Sequence, residues 1–449
     1  MLPFYAARIA AAERVGYDAC FRENRLNNQT GVDRRAFLST GAAFTIMAPN
    51  LVRGTERNSA VRLGLLGCGG RGTGVTASFI QNTDAQVTAL ADLFEDSLTA
   101  AHQKLNAAAA KRGKPGIDAA NLFQGPQACE KILSSKAIDA IYIATPPIFH
   151  PAHLAAAVEA GRHVYVEKPV AVDVPGAHQV LRTGERANGR LSLAVGFQIR
   201  HATPFVQMVE RIHAGALGQA VCGLTYYYAG AIARPEWPSA SPAVRRLRNW
   251  VHYRVLSGDI IVEQNVHIID VTNWVLGAHP LKAVGTGGRV GRTDQGDCWS
   301  HFNCTYTYPN EVHITMNSTQ FIKGSWDVAM RYFGTRGSAE ARYDSPVRIT
   351  GEEPWEFPGL GAAGQNTDSR VAATGVFHGA LDDADANKQK AFIESISGGK
   401  HLNQSRTGVE SALSGMLGRT AAYTGREVTW EELLRSQEVW DPGVDITRL

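Results

Sequence analysis

The sequence predicts an α/β chain in two parts: an N-terminal Rossmann dinucleotide-binding domain, then an α+β domain with a large, predominantly antiparallel sheet. Three observations predict it. Short apolar runs alternate with helix-length segments from residue 61 to about 197, the pattern of parallel strands joined by crossover helices. The first run passes directly into the turn Gly67-Cys68-Gly69-Gly70-Arg71-Gly72. From about Gly196 the runs become longer, alternating and rich in aromatic and β-branched residues, as antiparallel strands with one wet face require. The implied divisions are a leader over 1–59, a dinucleotide domain over 60–195, and a substrate-binding and oligomerisation domain over 196–449 that ends in helices.

Composition narrows the classes. A chain of 449 residues, 44% hydrophobic and 19% charged, is globular and long enough for two cores. Its formal charge of +3 is matched by an arginine excess in residues 1–58, which leaves the remainder neutral, so no basic surface argues for nucleic acid. The 6 cysteines include no CxxC pair, which speaks against a disulfide framework or structural zinc, and no metal site is expected.

Taken in order, residues 6–19 suit a short amphipathic helix. The segment VDRRAFLSTGAAFTIMAPNLV, with Arg34 and Arg35, resembles a twin-arginine export signal, a receptor-read address rather than an anchor. Its apolar stretch is too short to span a bilayer, so no stable membrane insertion is expected. An exported, periplasmic protein that meets the export machinery already folded would need to hold its nucleotide tightly.

The run from Val61 reads as the first strand. At the turn, Gly67 permits a tight bend, Gly69 and Gly70 let backbone approach a pyrophosphate, Arg71 adds a charge, and Gly72 lets the next helix lie against the sheet. A second apolar run ends at Asp92, twenty residues past Gly72, where a carboxylate would accept hydrogen bonds from a ribose 2′-hydroxyl and repel a 2′-phosphate, favouring NAD. Helices are predicted at 97–112, 151–160 and 174–188, and strands at 139–144, 163–166 and 191–197. The turns carrying Thr145, Pro146 and His150, and then Glu167 and Lys168, should meet the glycine turn beyond the strand ends.

In the second domain, strands are predicted at 221–228, 283–288, 299–308, 311–319 and 330–334, with one helical stretch over 259–276. A loop at 360–370 and helices at 387–397 and 407–424 close the chain. His267 is the acid/base candidate because imidazole changes charge near neutral pH. Glu263 and Asp270 lie four and three residues away, so on one continuous helix either carboxylate would orient the ring. Gln198, Arg200, Trp250, His252 and Tyr253 could bond or stack against a polyol.

Three separated motifs carry a resemblance: the glycine turn with Asp92, the Glu167-Lys168-Pro169 sequence, and Glu263-x-x-x-His267 inside IIVEQNVHIIDVTNWVLG. Together they resemble the glucose-fructose oxidoreductase and inositol dehydrogenase (Gfo/Idh/MocA) family, over about Val61 to Glu432. The resemblance implies a lysine at 168 beside the nicotinamide and the substrate hydroxyl, bound NAD, and homo-oligomers. Glu263 departs from the aspartate common in relatives. The leading expectation is NAD-dependent oxidoreduction of a secondary hydroxyl on a sugar, cyclitol or glycoside, with Lys168, Glu263, His267 and Asp270 as catalytic residues. One alternative is an NAD-dependent glycoside hydrolase that oxidises transiently, eliminates, hydrates and re-reduces. Another is a non-catalytic periplasmic sugar-binding protein.

Overall fold

Arg62–Leu66 (β1) places four successive apolar residues in the interior, which suits a strand covered on both faces. The computed structural model describes residues 60–232, 235–320, 326–360 and 379–449. The predicted leader, with Arg34 and Arg35, and nearly all of the predicted 360–370 loop lie outside the described residues.

After β1 come α1 (Gly70–Asn82), β2 (Gln86–Asp92), α2 (Glu95–Lys111), β3 (Leu122–Gln124), α3 (Ala128–Ser134), β4 (Ala140–Ile143), α4 (His150–Glu159), β5 (His163–Val166), α5 (Val174–Ala187) and β6 (Leu193–Val195). The six strands are parallel in the order β3-β2-β1-β4-β5-β6. That is the doubly wound dinucleotide-binding order, and its reversal beside β1 puts the ligand crevice at the β1 carboxyl end.

The second part contains α6 (Thr203–His213), β7 (Ala220–Tyr228), α7 (Pro242–Arg248), α8 (Arg254–Ser257), α9 (Ile260–Glu263), α10 (Val266–Leu276), β8 (Lys282–Gly288), β9 (His301–Tyr308), β10 (Val312–Thr319), β11 (Asp327–Gly334), β12 (Gly337–Arg342), β13 (Val347–Gly351) and β14 (Trp355–Glu356). It ends with α11 (Ala384–Ser397), α12 (Ser405–Thr424), β15 (Val428–Thr429) and α13 (Trp430–Leu434). Its nine strands run β14-β13-β12-β11-β7-β10-β9-β8-β15, with β7 and β10 parallel and the other pairs antiparallel.

Two features depart from the sequence expectations. The single helical stretch over 259–276 is two helices, α9 and α10, broken at Gln264–Asn265. The terminal helices, expected within the 196–449 domain, also pack against the Rossmann domain. Phe392 on α11 packs among Phe79 and Tyr165 of the Rossmann domain, with ring centroids 6.3 and 5.6 Å away. Helix α12 is buried on nearly every side, and a Cβ on its Gly418 would sit 2.0 Å from the Tyr306 hydroxyl of β9. Its apolar residues join one core running from the Rossmann helices to the inner face of the second sheet. No helix among the described residues is long and apolar enough to cross a membrane.

Candidate active site

The glycine turn is built by close approach. Gly67 has φ +99°, and a Cβ there would lie 2.7 Å from the Ala144 carbonyl. A Cβ on Gly72 would lie 2.0 Å from the Gly67 oxygen, so only glycine lets α1 start this near the turn. Gly69 and Gly70 instead face open space, with no atom within 4 Å of an added Cβ. They line a cavity of about 560 Å³ with Asp92, Ala144, Thr145 and Pro146. Asp92 Oδ2 accepts from the Cys68 N–H at 2.6 Å and Oδ1 from the Phe94 N–H at 2.8 Å, which fixes the carboxylate at the cavity wall. Burial raises its pKa, and those two N–H groups oppose the rise. Open backbone at a helix start, a fixed carboxylate at the end of β2 and a cavity of this size fit a dinucleotide.

Beside the turn lies a charged cluster that the sequence did not single out as a unit. Arg71 Nε donates to Glu167 Oε1 at 3.1 Å, and the Tyr142 hydroxyl donates to the same oxygen at 2.8 Å. Lys388, contributed by α11, is buried and pairs with Asp385 at 2.6 Å. Burial disfavours the Glu167 carboxylate, but Arg71, Lys388, Lys168 and the Tyr142 hydroxyl together hold its pKa below the usual range. Glu167, expected at the cofactor, therefore ties the glycine turn to β5.

Lys168 follows on a cis Lys168–Pro169 bond. Its Nζ donates to Glu263 Oε1 at 2.8 Å and to the Glu263 backbone carbonyl at 2.5 Å. Both side chains are nearly closed to solvent, 11% and 12% exposed, so the pair acts at low dielectric. Capturing that carbonyl also accounts for the helix break. The Glu263 oxygen would bond the His267 N–H in a continuous helix, whereas here that N–H donates to Gln264 O at 3.3 Å.

His267 is buried on α10, with the Phe197 ring edge-on at 6.4 Å. Its Nδ1 has no hydrogen-bond partner among the described residues. Burial, then the positive charges of Lys168, Arg71 and Lys388, hold its pKa well below the ordinary value. The ring is neutral at physiological pH and able to accept a proton.

The expected orienting role of Asp270 is not what the structure contains. Its carboxylate accepts from Arg200 at 2.8 and 3.0 Å and from the Ser411 hydroxyl at 2.7 Å, so it anchors α10 to the loop after β6 and to α12. Glu263 likewise serves Lys168 and not the imidazole. Arg200, expected at substrate, is spent on Asp270 and lies 5.3 Å from the Trp274 ring. Trp250 lines the nucleotide cavity. The His252 Nδ1 lies 2.8 Å from the Arg292 guanidinium, and the Tyr253 ring carries the Arg246 guanidinium at 4.5 Å. Gln198 is buried two residues before Arg200. His150 sits inside the fold, its Nδ1 and Nε2 each 2.7 Å from the carbonyls of Pro169 and Thr145, and burial lowers its pKa. It braces the residue after Lys168 against the turn after β4, and it is not among the residues that line the nucleotide cavity.

Asp259 was missed. Its backbone has φ +71°, which for a non-glycine residue costs about 1–3 kcal/mol. It is held there by the Ile260 N–H at 2.7 Å, the Trp299 N–H at 3.1 Å and the Tyr423 hydroxyl at 2.7 Å, while Arg419 binds the preceding Gly258 carbonyl at 3.1 Å. This bracing starts α9 and so places Glu263. The Ser257-Gly258-Asp259 turn was its only signal in the sequence.

Comparison with known proteins decides the family. The GFO_IDH_MocA description "Oxidoreductase family, NAD-binding Rossmann fold" matches residues 61–196, and the GFO/IDH/MocA C-terminal domain matches 205–340, together more than half the chain. The chain belongs to the Gfo/Idh/MocA oxidoreductase family. Its dinucleotide is NAD. An inositol 2-dehydrogenase of Rhizobium meliloti is 26% identical over 294 residues, 64% of this chain and 78% of that one. A glycosyl hydrolase family 109 protein of Solibacter usitatus is 30% identical over 128 residues, only 28% of each chain. Among solved structures, scyllo-inositol dehydrogenase from Lactobacillus casei with bound NAD(H) and scyllo-inositol superposes with a TM-score of 0.61, at 18% identity, covering 83% of this chain and 99% of that one. At that identity the likeness speaks for the Gfo/Idh/MocA fold alone.

Proposed function

We propose that this oxidoreductase acts on a secondary hydroxyl of a sugar, cyclitol or glycoside. The observation that carries the reading is the juxtaposition of the closed Lys168–Glu263 pair with a neutral, buried His267 at the carboxyl end of the nucleotide-binding sheet. NAD held by the glycine turn and Asp92 supplies the hydride acceptor. Lys168 stabilises negative charge as the hydroxyl oxygen loses its proton, and Glu263 holds the ammonium in place. His267 takes that proton. The depressed pKa leaves the ring unprotonated before reaction, and it makes the ring a weaker base than an ordinary imidazole. The inositol dehydrogenase similarity supports a cyclic polyol as the substrate class.

A second reading is glycoside cleavage without net redox change, favoured by the similarity to a glycosyl hydrolase family 109 protein. In that case the same groups would serve a transient oxidation. The Arg34–Arg35 segment supports export after folding, with NAD retained tightly. A panel of sugars, cyclitols and non-reducing glycosides, assayed with and without added NAD, tests these readings. Stoichiometric NADH formation from a free polyol supports the first. Release of a free sugar from a glycoside with bound NAD unchanged supports the second. No hydride transfer to bound NAD across the panel rejects both.

A further inference from the structure

We propose that the second domain closes a roof over the adenosine half of the cofactor, with Arg248 stacked between Phe94 and Trp237 and latched to Asp96. The proposal rests on the NAD assignment and goes beyond it, because the groups involved lie outside the glycine turn and the reacting end.

The direction of the cavity follows from its landmarks. Pyrophosphate belongs at Gly69 and Gly70 and the ribose at Asp92, so the base lies farther along, past the end of β2. There the cavity floor is Phe94, Asp96 and Ser97 from the Rossmann domain. The opposite wall comes from elsewhere in the chain: Trp237, Leu247, Arg248 and Trp250, with Ile446 of the C-terminal segment.

Arg248 joins the two walls. Its guanidinium carbon lies 4.0 Å from the Phe94 ring centroid and 4.1 Å from that of Trp237. Its two terminal nitrogens donate to the two Asp96 oxygens at 2.9 and 2.7 Å. The guanidinium is planar and presents its donors in a fork, so it can stack on rings while pairing a carboxylate, which lysine cannot do. The bearing segment is itself fastened. The Asn249 amide donates to Pro235 O at 3.4 Å, and Arg246 Nε donates to Pro442 O at 3.1 Å, which draws the chain around Ile446 to the same wall. The Arg248 side chain is only 14% exposed, whereas Asp96 is 56% exposed. The guanidinium is shielded between two half-buried rings while the carboxylate is open to solvent, so the stack contributes more than the ion pair.

A nucleotide seated beneath this roof leaves only when Arg248 parts from Asp96 or the 235–249 segment shifts. The roof thus acts on the exchange rate of the cofactor more than on the chemical step. It also acts on the adenosine half alone, a property that separates it from a general prop of the fold.

The test uses the purified full chain and release of NADH followed by stopped-flow fluorescence with a chase. Arg248→Ala is expected to release NADH about tenfold faster, the factor for about 1.4 kcal/mol of lost stacking and pairing. Trp237→Ala should act in the same direction, and Asp96→Asn should give a smaller increase. Reduced nicotinamide mononucleotide, which lacks the adenosine, should bind Arg248→Ala within about twofold of wild type. Arg248→Lys keeps the charge and loses the planar stack, so it should fall between wild type and alanine even where the alanine variant folds poorly. NADH release within twofold of wild type in Arg248→Ala and Trp237→Ala overturns the proposal. So does equal weakening of NADH and the mononucleotide, which marks a general disturbance. Failure of the wild type to bind NADH would instead remove the cofactor assignment, and the roof with it.

Discussion

Replacing Lys168 with Met separates its chemical role from its structural one. Lys168 Nζ lies 2.8 Å from Glu263 Oε1, with the two side chains 11% and 12% exposed. Removing the ammonium strands a buried carboxylate, and breaking such a pair from one side costs about 3–5 kcal/mol. It also removes the cation that faces the developing alkoxide, with an expected fall in kcat of about 10²–10³-fold. The double variant Lys168→Met/Glu263→Gln removes the stranded charge as well. It should recover most of the lost stability in urea denaturation while remaining as inactive as the single variant. A third readout is the acid limb of kcat/KM. Lys168 is the foremost charge holding the His267 pKa down after burial itself, so its loss should move that limb to higher pH. A double variant that regains wild-type turnover, or a single variant within about threefold of wild type, would refute the role given to Lys168.

Gly72→Ala puts a Cβ 2.0 Å from the Gly67 oxygen, and the overpacked turn should cost about 1–3 kcal/mol and abolish NAD binding by calorimetry; retained affinity would show that the turn is not the pyrophosphate seat. Asp270→Asn weakens the Arg200 and Ser411 anchor, so melting temperature should fall while the acid limb set by His267 stays put; a shifted limb would restore Asp270 as an orienting carboxylate. Burial holds His153 and His201 at about 4, below the ordinary 6.5, so their stabilising contribution is fully present above pH 6.5 and is lost as pH falls towards 4. Both rings are partly exposed, which reduces the contribution to about 1 kcal/mol each. Asp92 and Asp259, with pKa values raised by burial, act in the opposite sense. His201→Asn should flatten the urea-stability profile between pH 6.5 and 5, and a profile parallel to wild type would contradict the linkage.

The Rossmann half was legible, apart from the short, half-buried edge strand β3, because its other strands read as apolar runs bounded by turn residues. Strands β12 to β14 were not, because segments such as Gly337–Arg342 combine small and charged residues with no β-branched run. Helix α12 could be recognised as a helix but not placed, since a segment buried on nearly every side has no broad polar face to give its direction. The candidate site was legible as a set of residues and misread as a geometry. Nothing in IIVEQNVHIID marks a break, because the break comes from Lys168, 95 residues away, taking the Glu263 carbonyl. Asp270 was read as a partner of His267 from spacing alone, while its real partners come from Arg200 and Ser411 on other elements. Arg248 carried no signal, because its role exists only where α7 meets the start of α2.

The central claim is that hydride passes from a carbinol carbon to NAD held by this chain. Purified protein is exposed to polyols and glycosides deuterated at carbon, the nucleotide is released, and its mass is read alongside that of the untreated protein. The account predicts NADH carrying the deuterium from one class of cyclic polyol, and predicts its loss in His267→Asn and Lys168→Met. Nucleotide that stays NAD, free of deuterium across the whole panel, with every polyol and every glycoside left intact, would contradict it.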